Sequence, residues 1–103
     1  AEIVPYEIAF TYYTQSDAGI SAADLSAAVE KTVDDFISWQ CGKLGRDINP
    51  SYLIGELMKT GVKRVDVTAP VFTKLLDGSD KTVPQLAALQ GTPTIINGGY
   101  ENE

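Results

Sequence analysis

Few residues in this chain could do chemistry, and their spacing limits what each could do. Asp34 and Asp35 are adjacent carboxylates, the residue type used in general acid–base pairs. On a helix, neighbouring side chains diverge by about 100°, so these two do not converge on one reacting atom and read as a solvated face. Asp77, Ser79 and Asp80 crowd oxygen atoms around Gly78, as calcium loops do. The later Glu and the central glycine position of an EF-hand are missing, and a plain hairpin turn accounts for the run. Gly42-Lys43-Leu44-Gly45-Arg46 mixes glycine with cations but matches neither G-x-G-x-x-G nor G-x-x-x-x-G-K; it reads as a helix-terminating turn. Cys41 is the single cysteine, so an intramolecular disulfide and a Cys-rich zinc site are both closed to the chain. Its place at a helix C-terminus disfavours the thiolate. There is no His, which removes His-based triads and most zinc sites. The expectation is a chain with no catalytic residues, no cofactor and no metal.

Composition narrows the partners. The 103 residues suit one domain, taken as residues 1–103. An apolar fraction of 44% with 21% charged residues is that of a globular domain. Only eight Lys and Arg stand against fourteen Asp and Glu, a net charge of −6. The basic footprint of a nucleic-acid binder is therefore missing, and an anionic membrane surface would repel the chain. No apolar stretch approaches the roughly 20 residues of a membrane span, and AEIVPYEIAF lacks the basic-then-apolar pattern of a signal peptide.

The elements follow from periodicity. In YEIAFTYYT, residues 6–14, Ile8, Phe10 and Tyr12 alternate with Glu7, Ala9, Thr11 and Tyr13, which predicts a strand; residues 15–19 turn. Ser21 caps a helix whose Leu25, Ala28, Val29, Thr32, Val33, Phe36, Ile37 and Gln40 form one stripe, ended by Gly42 and Gly45 as left-handed caps. Asn49 and Pro50 open a second helix, with Leu53, Ile54, Leu57 and Met58 inward and Gly61 as its cap. Residues 62–68 alternate as a second strand. Residues 71–76 are extended, residues 77–80 turn, and residues 82–89 fit either a strand or a short helix, with Pro84 arguing against a central strand. TPTIIN, residues 92–97, reads as a closing strand, and Gly98-Gly99 and the acidic end fray. The order β-α-α-β-(β)-β predicts an α+β two-layer sandwich: a small sheet of about three to four strands with two helices on one face.

Between the helices, Gly45-Arg46-Asp47-Ile48-Asn49-Pro50 reads as a glycine stop, a charged pair able to hold the connection by a salt bridge or backbone hydrogen bonds, and a capped helix start. Ile48 packs on Leu53 as a staple. Candidate contact residues are Tyr13 on the outer sheet face, Trp39 at the border of the helix stripe, where packing and interface readings both stand, and Phe72, Leu75 and Leu76. These last belong to an arm at residues 71–89 that carries more apolar surface than a free loop exposes, so it either folds onto the core or packs on a neighbour.

GRDINPSYLIGELMKTGVKRVDVTAP, residues 45–70, resembles the C-terminal segment of baseplate J-like proteins of contractile-tailed phages, prophages and tail-like bacteriocins. That family has a G-R-D-I-x-P-S-x-L-I stretch leading into a helix and then a G-V-x-x-V-x-V-T-x-P strand. Its preceding strand and Ala-rich helix match YEIAFTYYT and ISAADLSAAVEKTVDDFISWQ, and its closing strand and Gly-Gly-x-Glu ending match residues 95–101; residues 71–90 depart from the pattern. The resemblance implies the C-terminal module of a longer protein and a structural role in the virion baseplate. The partners implied are other baseplate and tail proteins and further copies of itself, assembled in the bacterial cytoplasm. It carries over no catalytic residue. The alternative from the residues alone is a small α+β enzyme or ligand-binding domain using carboxylates and tyrosines.

Overall fold

The computed structural model of the chain describes residues 2–15, 19, 21–79 and 83–100. Residues 16–18 of the first expected turn, Asp80 and Thr82 of the arm, and the acidic end at 101–103 lie outside the described residues. The fold is α+β, in the order β1 (Glu2–Tyr6), β2 (Ala9–Thr14), α1 (Ala22–Cys41), α2 (Pro50–Met58), β3 (Arg64–Ala69), β4 (Gln85–Leu89) and β5 (Thr94–Tyr100).

The single sheet expected from the sequence is two sheets. β1 pairs with β4 in parallel, and β2 lies between β3 (antiparallel) and β5 (parallel). The strand expected at residues 6–14 is therefore the end of one strand and the whole of another. The alternation hid the break because it runs straight through it: Tyr6, Ile8, Phe10 and Tyr12 are all buried. What changes at Glu7–Ile8 is the partner. From Tyr6 opposite Leu89 to Ala9 opposite Thr94, one side advances three residues and the other five. The surplus is taken up around Gly91-Thr92-Pro93, where Pro93 has no N–H to give to a ladder. Two backbone bonds bracket the excursion, Gln90 N to Tyr6 O at 2.8 Å and Thr94 N to Ile8 O at 2.8 Å. The two parallel ladders are thus halves of one bent ribbon, and the molecule is elongated, 53 × 22 × 19 Å.

The arm and the C-terminal strand settle the segments that periodicity left open. Residues 85–89 are a strand, with Pro84 just outside it, its carbonyl accepting from Glu2 N at 3.0 Å. β5 begins at Thr94 and runs through Gly98 and Gly99, which the sequence had placed in a fraying end.

The helices form the second layer. Ser21 Oγ accepts from Asp24 N at 3.1 Å, a cap worth about 1 kcal/mol. The buried positions of α1 are Leu25, Val29, Val33, Phe36 and Gln40, one stripe at three- and four-residue spacing. α1 lies on β4, where Ala87 is fully buried and offers only a methyl group to the helix; α2 lies on β3. Asn49 Oδ1 accepts from Ser51 N at 3.0 Å, and Ile48 and Leu53 of the staple are both buried in the common core with Leu57, Val62 and Leu75. Three cap details differ from expectation. Gly42 ends α1 in a right-handed conformation, with its N–H on Trp39 O, and the left-handed glycine is Gly45. α2 is capped by Lys59, whose N–H reaches Glu56 O and Leu57 O, so Gly61 lies past the end. Met58, at the last helical position, is exposed where an inner position was expected.

Among the described residues, two buried polar atoms have no partner, Gln40 Oε1 and the Tyr6 hydroxyl. Tyr6 sits edge-on to Phe36 with ring centroids 6.4 Å apart, and its hydroxyl is buried with no hydrogen bond. Burial, reinforced by the nearby Cys41, pushes the Tyr6 phenol up to about 12. The neutral phenol is thus the form the folded state prefers. Its contribution is complete below the unfolded value near 10 and is lost as pH rises through 12, a loss of roughly 2 kcal/mol. Tyr6→Phe should keep neutral-pH stability within about 1 kcal/mol, because it removes an unpaired polar atom. It should also flatten the fall in urea midpoint between pH 10 and 12. An unchanged alkaline fall in the variant would contradict this assignment.

Candidate functional site

The segment at residues 45–50 gathers a dense set of polar contacts. Gly45 donates to Gln85 O at 2.8 Å. Arg46 Nη1 donates to Trp39 O, and its guanidinium lies 4.1 Å from the centre of the Trp39 ring. Asp47 Oδ1 accepts from Leu75 N at 2.9 Å. Ile48 and Thr73 exchange two backbone bonds, at 2.8 and 2.9 Å. Gln40 Nε2, buried at the end of α1, donates to Arg46 O at 2.9 Å and Asp47 O at 3.3 Å. The motif therefore ties the end of α1, the start of α2, the arm and β4 together. Of the two possibilities open for Arg46 and Asp47, the structure takes backbone hydrogen bonds. Each charged side chain caps a main-chain group, which is worth more than an exposed ion pair.

Four of the five candidate contact residues separate onto three surfaces, and the fifth, Leu75, lies in the core. Tyr13 is half-buried on the outer face of the three-stranded sheet, with the Arg64 guanidinium 4.0 Å above its ring. On that face a Cβ at Gly98 would come within 2.5 Å of the Tyr13 ring, so the tyrosine lies over the glycine and covers it. Trp39 belongs to the helix pair, stacked on Tyr52 with centroids 3.9 Å apart and planes 9° apart. Phe72 and Leu76 are on the arm, 61% and 44% exposed. Leu75 is the correction. It is 3% exposed and part of the core, because Asp47 holds its N–H and draws the arm inward, so it is no contact residue for a partner. Leu75→Ala should cost about 2–5 kcal/mol, while Phe72→Ala should stay within about 0.5 kcal/mol. Urea denaturation of the two variants checks this; equal, small effects would mean that the arm does not pack as described.

The residues that sequence reasoning passed over are Tyr52, Gln85 and Gly98. Tyr52 sits only three residues past the Asn49 cap, and its stacking on Trp39 depends on the crossing of the two helices, which no local pattern reports. Gln85 Oε1 accepts from Leu76 N at 2.9 Å and its Nε2 donates to Glu2 Oε1 at 2.9 Å, joining the arm to β1.

The concave places are modest. A cleft of about 410 Å³ is lined by Pro5, Tyr6, Glu7, Pro70, Val71 and Gln90 among others, with one carboxylate and no arginine. A groove of about 90 Å³ between the helices is lined by Thr32, Asp35, Phe36, Trp39, Tyr52 and Glu56. Asp77 and Ser79 form a local turn, Asp77 Oδ1 accepting from Ser79 N at 2.9 Å, and hydrogen bonds from the Ser79 side chain and N–H hold the Asp77 carboxyl below its ordinary range. Among the described residues, no group of three or more His, Cys, Asp or Glu could hold a metal ion, and no helix is long and apolar enough to cross a membrane. No protein-family model matches the chain, and no curated protein matches it.

Proposed function

We propose that the chain is a structural module of a contractile-tail baseplate, in a phage, a prophage or a tail-like particle, acting in tail assembly through protein–protein contacts. The observation that carries this reading is the ordered pair of motifs, GRDINPSYLI followed by GVKRVDVTAP, with its resemblance to baseplate J-like proteins. The use of the first motif supports it: Arg46, Asp47 and Asn49 all spend their polar groups on the chain's own backbone, which suits a rigid building block. The reading includes no catalytic role, and it places the protein in the virion. The alternative of an enzyme or small-ligand site draws no support from the cleft beside Glu7, where no second carboxylate or arginine converges.

Deleting the gene from the particle that encodes it should leave tails without complete baseplates by electron microscopy, with restoration by the wild-type gene in trans. Complete, contractile particles without the protein would overturn the reading.

A further inference from the structure

The groove between α1 and α2 has a chemistry that its structural role does not require. Its wall on α1 is Thr32, Asp35, Phe36 and Trp39, and its wall on α2 is Tyr52 and Glu56. Three aromatic rings meet there. Phe36 lies 5.9 Å from Trp39 and 6.2 Å from Tyr52, and the Trp39–Tyr52 pair is stacked. Each wall also carries a carboxylate. Asp35 pairs with Lys31 at 2.8 Å and Glu56 with Lys59 at 3.2 Å, and both lysines are more than two-thirds exposed. Exposed pairs of this kind contribute only about 0.2–1 kcal/mol and exchange readily.

The molecule displays in place what such a surface attracts: the Arg46 guanidinium lies over one face of Trp39, and Tyr52 covers a ring face of the same residue. Tyr52 gives one of its own faces to that stack and is still 37% exposed. At about 90 Å³ the groove is far below the several hundred Å³ of a drug-sized site, but it has room for a single planar head group.

We infer that this groove receives an arginine side chain from a partner protein. Aromatic surface favours a guanidinium over an ammonium because the planar cation stacks and is more weakly hydrated. The carboxylates on the two walls supply the complementary charge, on a chain whose net charge is −6. The inference rests on the docking role proposed above and names the partner's chemistry.

Trp39 is the only tryptophan, so its indole N–H reports on the groove directly. The probe is the peptide acetyl-Gly-Arg-Gly-amide, titrated into the whole chain and followed by NMR, against the same peptide with neutral citrulline. Saturable shifts at the Trp39 indole and at the amides of Thr32, Asp35, Tyr52 and Glu56 are expected, with affinity on the order of millimolar and about tenfold weaker for citrulline. Combining Asp35→Asn with Glu56→Gln should reduce arginine binding to the citrulline level while leaving the thermal melt in place. Absence of shifts, equal shifts with citrulline, or binding that survives the double variant would each overturn the inference. None of these outcomes touches the gene-deletion experiment. Complete particles in that experiment would remove the baseplate reading without deciding what the groove binds.

Discussion

Gly45→Ala should destabilise the chain by about 3 kcal/mol or more, a large share of the about 5–15 kcal/mol total stability of a small domain. Two independent costs meet at this position. Its φ of +72° lies in the left-handed region, where a side chain costs about 1–2 kcal/mol. A Cβ there would also stand 2.3 Å from Asp77 Cβ and 2.5 Å from Asp77 Cα. The second of these is main chain, so no rotamer change relieves it. Either the arm must move away, taking Leu75 from the core and its N–H from Asp47, or Gly45 must release Gln85 O. Two other glycines separate the terms. Gly61 has φ +108° with nothing near its added Cβ, so Gly61→Ala should show backbone strain alone, about 1 kcal/mol. Gly55 is helical with open space around it, so Gly55→Ala should stabilise by up to about 1 kcal/mol. Urea midpoints should rank the three with Gly45→Ala far below the others. If Gly45→Ala and Gly61→Ala fell together, the contact with Asp77 would not be a constraint.

That joint shows which parts of the structure are legible in the sequence. Asn49-Pro50 and Ser21 announce helix starts because capping is a local event, decided within three or four residues. The α1 stripe is legible for the same reason, through Phe36 and even to the buried Gln40. For Leu75 the sequence leaves two outcomes open, folding onto the core or packing on a neighbour, and the structure takes the first. Leu75 sits in an aperiodic segment, and it is carried inward by a carboxylate twenty-eight positions earlier in the chain. The break between β1 and β2 was invisible because burial alternates through it unchanged, and only the partner strand reveals it. Gly98 looked like a loose end because glycine weakens strands in general; here its missing side chain is the space that the Tyr13 ring occupies. For the candidate surfaces, the residue types of Tyr13 and Trp39 were informative. Their neighbours Arg64, Arg46 and Tyr52 come from elements whose approach is a tertiary fact.

Removing residues 91–103 should abolish cooperative folding. The segment contains β5, and β5 is the parallel partner of β2 from Ala9 to Thr14. Its loss would free the bond from Thr94 N to Ile8 O and uncover one edge of β2. That strand carries Phe10 and Tyr12, both buried, and an unpaired edge with an apolar face is a template for aggregation. Ile95, opposite Phe10 and packed on the core, would be lost with it, and Tyr13 would lose the glycine it lies on. The truncated chain should be aggregated at concentrations where the parent is monodisperse, and it should lack a sigmoidal urea transition. A soluble truncated chain with the parent's midpoint would show that β5 is dispensable. Two substitutions test the same strand without deleting it. Ile95 faces the core, while Ile96 is exposed on the outer face. Ile95→Asp places a carboxylate against Phe10 and should cost several kcal/mol, on the order of 3. Ile96→Asp keeps its charge in water opposite Thr11 and should cost under about 1 kcal/mol. The contrast depends on register alone, because a one-residue slip of β5 would exchange the two positions between faces and reverse the order.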